Sequence, residues 1–318
     1  MSQVVETDIR RILFPKEFRE RDEILEKNKR FAYYTSADTA LKVLENREVW
    51  MRNAACMNDY EEVYHGLECL KNAYASPAGD LLRKEFEALQ SGFSSIIADD
   101  VNPWESTLKY HTYITSVSEH LQSEDSFGRL SMWRAYGRGS GVALIFRGAP
   151  FVAETDALGA YSFPARYENK QGMEIRLKEV AERLAEQRLI VSKQDPAVVR
   201  SIFRMLFVSW AVCTKHPAFE EEREWRIVHS PALSDAGNLV RDRATINGVP
   251  QIIYKIPLKR ISDEENFDLS ISGLLDRVLI GPTEFSGTMY DAFVDILKER
   301  GVPDAESRVI VTGVPLRQ

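Results

Sequence analysis

The chain has few cysteines, and their arrangement predicts neither a metal site nor a disulfide framework. Cys56, Cys69 and Cys213 are odd in number, and no pair has C-x-x-C spacing, which disfavours zinc knuckles and disulfide scaffolds. We therefore expect free, reduced cysteines of the kind found in cytoplasmic proteins. The five histidines form neither H-E-x-x-H nor H-x-H, so no metal site is expected from them.

Long apolar runs are also missing. The longest, 205–213, is interrupted by Ser209, whereas a membrane-spanning helix needs about 20 apolar residues. The first residues include acids and no uninterrupted apolar core, so a secretory signal is not predicted. We expect a cytoplasmic protein that does not enter a membrane.

Positive charge is in deficit, with 41 Lys and Arg against 48 Asp and Glu and a net charge of −7. A protein that binds duplexes non-specifically needs a basic surface, so that class is disfavoured. The acidity is local, because the segment 58–100 holds nine acids and three bases, a net charge of −6. An anionic ligand is therefore expected to avoid those helices but not the rest of the chain, which is close to neutral.

The chain does contain an early and a late set of strand patterns, with helical patterns between them. Strands are predicted at 31–36, 49–52, 111–119, 141–147 and 161–167, and later in EWRIVHS, QIIYKIP, DRVLIG and VIVTG. Helices are predicted at 15–30, 60–73, 80–97, 123–137, 177–184, 199–210 and 284–300.

Because strands and helices do not alternate as βαβ units, we predict an α+β fold with a mixed, largely antiparallel sheet. The expected organisation is a helical N-terminal extension over 1–30, then a single α+β domain over 31–318. Helical insertions are expected at about 58–100 and 168–213.

The densest polar cluster is FEEEREWRIV at 219–228. On a strand from Glu222 to Val228, Glu222, Glu224 and Arg226 would share one face, with the two carboxylates roughly 6–7 Å apart. Such a pair can divide its roles, one carboxylate orienting a hydroxyl and one acting as a base. The alternative is a solvated acidic edge bridged by Arg223 and Arg226.

Three further clusters each have a functional and a structural interpretation. Asn58, Asp59 and Glu62 are candidate ligands or the capped start of a helix, and Tyr33, Tyr34 and Thr35 are candidate contacts or core aromatics. Trp133 and Tyr136 share a helix face. The glycines that follow, 137–141, match no phosphate-loop motif and favour a helix-to-strand turn.

Taken in order, these clusters resemble the bacterial family known as domain of unknown function 2971. The family shows an aromatic-Tyr-Thr strand, an N-D-P-x-E element, W-x-x-Y before a Gly-led strand, and a Lys before a late E-x-E-x-R strand. The corresponding positions are Tyr34-Thr35; Asn58-Asp59 with Glu62; Trp133, Tyr136 and Gly141; and Lys215 with Glu222, Glu224 and Arg226. The chain departs from the pattern at Tyr33, Tyr60 and Glu61.

The family pattern is in turn similar to ADP-ribosyltransferase-like folds, which implies NAD as a substrate. By that analogy Glu224 would grip the nicotinamide ribose and favour an oxocarbenium ion, while Glu222 would activate the acceptor. Tyr34 and Tyr136 would border the nicotinamide, and Ser116 and Ser118 would line the cleft. The expected partners are a small-molecule nucleotide or a macromolecular acceptor, with a nucleic acid as one possibility, and no metal is expected.

Two other functions stay open at this point. One is a metal-assisted phosphodiesterase that uses Asp59, Glu62, Glu222 and Glu224 to hold Mg²⁺ or Mn²⁺. The other is a non-catalytic module that binds a nucleotide, a nucleic acid or a protein, with Arg223 and Arg226 neutralising the glutamates. The resemblance suggests a phage-defence or stress-response setting, and the oligomeric state is unknown.

Overall fold

The computed structural model describes residues 9–13, 15–56, 60–101, 108, 110–137, 139–153, 155–231, 234–263 and 267–315. At 60–63 and 101 only the backbone is described.

Twelve strands are assigned within these ranges: β1 (Arg30–Ser36), β2 (Glu48–Asn53), β3 (Tyr113–His120), β4 (Gly141–Arg147), β5 (Tyr161–Pro164), β6 (Arg166–Tyr167), β7 (Thr214–Lys215), β8 (Glu224–His229), β9 (Val240–Ile246), β10 (Val249–Pro257), β11 (Leu275–Ile280) and β12 (Val309–Val311). The helices include α1 (Pro15–Glu26), α2 (Ala37–Asn46), α3 (Tyr60–Tyr74), α4 (Pro77–Leu89), α5 (Phe93–Val101), α6 (Leu130–Tyr136), α7 (Lys170–Glu186), α8 (Arg188–Val191), α9 (Pro196–Cys213), α10 (Ile271–Leu274), α11 (Ser286–Glu299) and α12 (Ala305–Arg308).

The main sheet has the strand order β12-β11-β4-β1-β3-β2-β10-β9, and β8 pairs with both β3 and β5. Its pairings are antiparallel except for β11 with β12, which run parallel. The predicted α+β fold with a mixed, largely antiparallel sheet is therefore confirmed. Pro164 lies on β5, whose one partner in the described sheet is β8, as expected for a proline at an edge.

The sheet opens between β1 and β2. Along one edge, β3 pairs with β8 from Tyr113 to Ser118. Along its opposite edge it pairs first with β2, at 113–114, and then with β1, at 118–120. Positions 115–117 have no partner strand on that edge in these registers, and β1 and β2, joined through α2, diverge from each other there.

Two large apolar clusters hold the sheet. Phe31, Val117 and Trp225 pack with α2 and α11 on one face. On the other face, Ile114 and Val228 join a helical cluster built from α3, α4, α7 and α9. Helix α9 is long and apolar enough to span a membrane, but 61% of its apolar window is buried inside the protein, as in a core helix.

Several predicted bounds are wrong, each for a local backbone reason. The helix predicted at 15–30 ends at Glu26, because Asn28 turns left-handed (φ 46°) and Lys29 N–H closes on the Ile24 carbonyl. The helix predicted at 80–97 is two helices, because the backbone is extended at Gln90 and left-handed at Gly92 (φ 80°). The Glu87 carboxylate then accepts the N–H groups of Gly92 and Ser94 at the start of the second helix.

The helix predicted at 123–137 begins only at Leu130, because the backbone of Gly128 is left-handed (φ 64°) and not helical. The strand predicted from Glu222 begins at Glu224, because Glu222 ends a 3₁₀ turn over Pro217–Glu222 and Arg223 is left-handed (φ 45°). Glu222 is therefore not on the strand face that it was predicted to share.

Candidate functional site

The opening between β1 and β2 contains a cavity of about 700 Å³. Its walls come from β1, β2, the middle of β3, α2, α6 and the tip of the β9–β10 hairpin. Nine of the predicted site residues line it: Tyr33, Tyr34, Thr35, Ser116, Ser118, Tyr136, Glu222, Glu224 and Arg226. Because Tyr34 and Glu224 are far apart in sequence, only the fold brings them to one cavity.

The two glutamates meet at a buried lysine. Lys215 Nζ lies 2.6 Å from Glu222 Oε2 and 3.1 Å from Glu224 Oε2. Arg226 Nε donates to the other oxygen of Glu224 at 2.9 Å. The side chains of Lys215 and Arg226 are only 2% and 4% exposed, that of Glu224 is 9% exposed, and that of Glu222 is 20% exposed. Glu222 is thus the more accessible carboxylate.

Glu224 is held as a carboxylate. Burial on its own would raise its pKa, but Arg226 and Lys215, together with a hydrogen bond from Ser116, lower the pKa to about 2. An anion this weakly basic is a poor general base near neutral pH. It is well suited to accept a hydrogen bond from a ligand hydroxyl.

Arg129 fixes the turn that carries Glu222. Its guanidinium donates to the carbonyl oxygens of Glu221 (2.6 Å) and Glu119 (2.9 Å) and to the Ser118 hydroxyl (3.0 Å). Ser118 in turn donates to the Glu222 carbonyl. These bonds tie the 3₁₀ turn to the end of β3, so the position of Glu222 is set by long-range contacts.

Tyr34 closes the inner wall. Its ring packs edge-on against Trp133 at 4.8 Å between centroids, and its hydroxyl accepts the Arg129 backbone N–H at 3.0 Å. Burial raises the pKa of Tyr34 to about 12, so it stays neutral. Trp133 itself is absent from the cavity wall and supports Tyr34 from behind.

Tyr136 lies at the rim, with its hydroxyl 3.5 Å from Glu222 Oε1. Gly137 is the C-cap of α6 and Gly141 is the first residue of β4, which confirms the helix-to-strand interpretation of these glycines. Lys215 was predicted to bind a ligand, yet it lies behind the two glutamates and is absent from the lining.

The predicted contacts Asn58 and Asp59 lie outside the described residues, and the side chain of Glu62 is not described. In the described part of the chain, no group of three or more His, Cys, Asp or Glu could hold a metal. Lys215 Nζ occupies the position between Glu222 and Glu224 where a shared cation would have to sit.

The predicted neutralisation of the glutamates by Arg223 is wrong. Arg223 pairs with Glu124 instead; its backbone is left-handed, and it precedes the strand rather than lying on it. Lys215 takes its place beside Arg226. The predicted free cysteines are confirmed.

Sequence reasoning missed several residues of the site. Arg52 and Trp50 of β2 line the cavity, as does the hairpin tip at Thr245–Asn247. Arg129 shapes it from behind. The strand pattern at 49–52 is the one sequence signal that points to Arg52. No local sequence pattern marks the hairpin tip or Arg129 as part of a site.

Residues 132–227, from α6 to β8, match the model of a family described as "Protein of unknown function (DUF2971)". The resemblance to that family is thereby confirmed over 96 of the 318 residues, the segment that carries Trp133, Tyr136, Lys215, Glu222, Glu224 and Arg226. No curated protein and no solved structure matches the chain.

Proposed function

We propose that the chain is a cytoplasmic NAD-consuming enzyme, an ADP-ribosyltransferase or NAD glycohydrolase, serving bacterial defence or stress response. The observation that carries the proposal is the cavity at the opening of the sheet, where Tyr34, Ser116, Glu222 and Glu224 converge. It is of the size and mixed polarity expected for a small-ligand site.

In this proposal Glu224, ionised and aligned by Arg226, Lys215 and Ser116, accepts a hydrogen bond from a hydroxyl of the nicotinamide ribose. Tyr34 and Tyr136 border the nicotinamide ring. The bond between the ribose C1 and the nicotinamide nitrogen breaks with its electron pair going to nicotinamide. The oxygen of water or of an acceptor hydroxyl then bonds to C1 and loses its proton to Glu222.

The test is release of nicotinamide from NAD, followed by chromatography. We expect release by the wild type and a loss of at least about 100-fold in Glu222→Gln, as for removal of a general base. Glu221→Gln is the matched control, since Glu221 bonds to Ser131 and is absent from the lining. Equal activity of Glu222→Gln and the control would refute the role of Glu222.

Glu224→Gln leaves two buried cations short of a partner, so loss of activity in that variant could reflect unfolding. Ser116→Ala removes only one hydrogen bond to Glu224. We expect it to stay folded and to turn NAD over at least several-fold more slowly; full activity in folded Ser116→Ala would count against the arrangement around Glu224.

A second candidate is a non-catalytic nucleotide-binding module. It is favoured by the pairing of both glutamates with Lys215 and Arg226, which leaves the four-residue cluster without net charge. This alternative predicts that NAD raises the melting temperature but that no nicotinamide is released.

A further inference from the structure

The cavity has a second polar end, remote from the glutamates. On β3, Ser118 is opposite Glu224 on β8, and Ile114 is opposite Arg52 on β2. These two positions on β3 are four residue steps apart, which is about 13 Å along the strand. Arg52 therefore lies at the end of the cavity floor opposite the carboxylates.

Arg52 differs from the other basic residues of the cavity in its pairing. Lys42 pairs with Asp38 at 2.8 Å, and Arg226 pairs with Glu224. No carboxylate of the described residues lies within ion-pair distance of Arg52, whose Nη2 donates to the Cys56 carbonyl at 2.7 Å. That bond orients a half-buried guanidinium that has no negative partner in the described part of the chain.

The Nε of Arg52 is buried without a hydrogen-bond partner among the described residues. A half-buried cation with unused donors is stabilised by an anion, and a guanidinium matches the geometry of phosphate oxygens better than any other side chain does. Tyr33 lines the same cavity as Arg52; burial raises the pKa of its hydroxyl, and the charge of Arg52 acts against that rise.

We infer that Arg52 forms a phosphate subsite, which takes the diphosphate of a nucleotide whose ribose lies against Glu224. The position of the ribose beside Glu224 rests on the proposed function. The position of the phosphates is argued from Arg52 alone. In this arrangement a single nucleotide spans the cavity. Its ribose hydroxyls lie at the β8 end and its negatively charged phosphates lie at the β2 end.

The test compares adenosine with ADP by titration calorimetry at one fixed salt concentration. The wild type is expected to bind ADP at least about tenfold more tightly than adenosine, as for a charge-assisted contact. In Arg52→Gln this preference should fall to nearly one, and Arg52→Lys should keep part of it. Arg260→Gln is the matched control, because it removes an equal charge from an exposed pair with Asp263 outside the lining, and it should keep the full preference.

An unchanged ADP preference in folded Arg52→Gln would overturn the subsite, as would a wild type that binds ADP no better than adenosine or not at all. Failure of the enzyme proposal has a different signature: no nicotinamide release, with the Arg52-dependent preference for ADP intact. Failure of the subsite alone would give nicotinamide release with the KM for NAD unchanged in Arg52→Gln.

Discussion

At the scale of single residues, the site depends on the buried ammonium group of Lys215. The side chain of Lys215 is 2% exposed and bridges Glu222 and Glu224. Two carboxylates this close would repel each other, and one would take up a proton, without a cation between them. Lys215 thus holds the two carboxylates together, and with Arg226 it keeps the pKa of Glu224 low.

Replacing Lys215 by Met should cost about 3–5 kcal/mol of unfolding free energy, because it leaves buried carboxylates short of a partner. Lys170→Met removes a lysine whose pair with Glu68 is exposed and should cost less than about 1 kcal/mol. Urea unfolding measures both. Similar losses in the two variants would mean that the buried cluster contributes no more than a surface pair.

The depressed pKa of Glu224 makes part of the stability dependent on pH. A carboxyl whose pKa falls from 4.5 to about 2 on folding stabilises the folded state above pH 4.5, and this contribution, about 3 kcal/mol, is lost as the pH falls towards 2. The difference in unfolding free energy between wild type and Glu224→Gln should therefore shrink between pH 5 and pH 2.5. A difference that is the same at both pH values would contradict the assignment.

At the scale of elements, close contacts of Trp133 with glycines set the junction between α6 and β4. A Cβ at Gly141 would lie 2.8 Å from the Gly137 Cα and 3.1 Å from the Trp133 ring. Trp133 can thus pack against Tyr34 only because β4 begins with a glycine.

Gly141→Ala should destabilise the protein by about 1–3 kcal/mol, as overpacking does. Gly287→Ala, in α11, is the matched control, because a Cβ there meets nothing within 4 Å and alanine favours a helix by up to about 1 kcal/mol. In thermal unfolding, Gly141→Ala should lower the melting temperature and Gly287→Ala should leave it unchanged or raise it. An unchanged melting temperature in Gly141→Ala would show that the junction accommodates a Cβ at little cost.

Elements with strong local patterns could be predicted from sequence. The apolar run of β4 and the apolar stripe on α9 form where expected. The break at Arg223 could not be predicted, because a left-handed arginine has no signature in local propensity. It is imposed by the contacts of the 3₁₀ turn with Arg129 and Ser118.

At the scale of the whole molecule, the fold class followed from the order of strand and helix patterns, but the opening in the sheet did not. It arises because β3 changes partner from β2 to β1 along one edge, a long-range property that no single segment encodes. The fold analogy implied that Tyr34, Ser116 and Glu224 border one cleft, and all three line the cavity. The part played by Arg52 depends on pairing between strands far apart in sequence.

Hydrogen exchange with and without ADP-ribose, the part of NAD left after nicotinamide departs, tests most directly whether this opening is the nucleotide site. Peptides covering β1, β2 and the middle of β3, including the unpaired edge at 115–117, should exchange more slowly with ligand. Peptides of α7 and α9 serve as internal controls and should not change. Protection confined to those helices, or no protection at saturating ADP-ribose, would contradict a nucleotide site between β1 and β2.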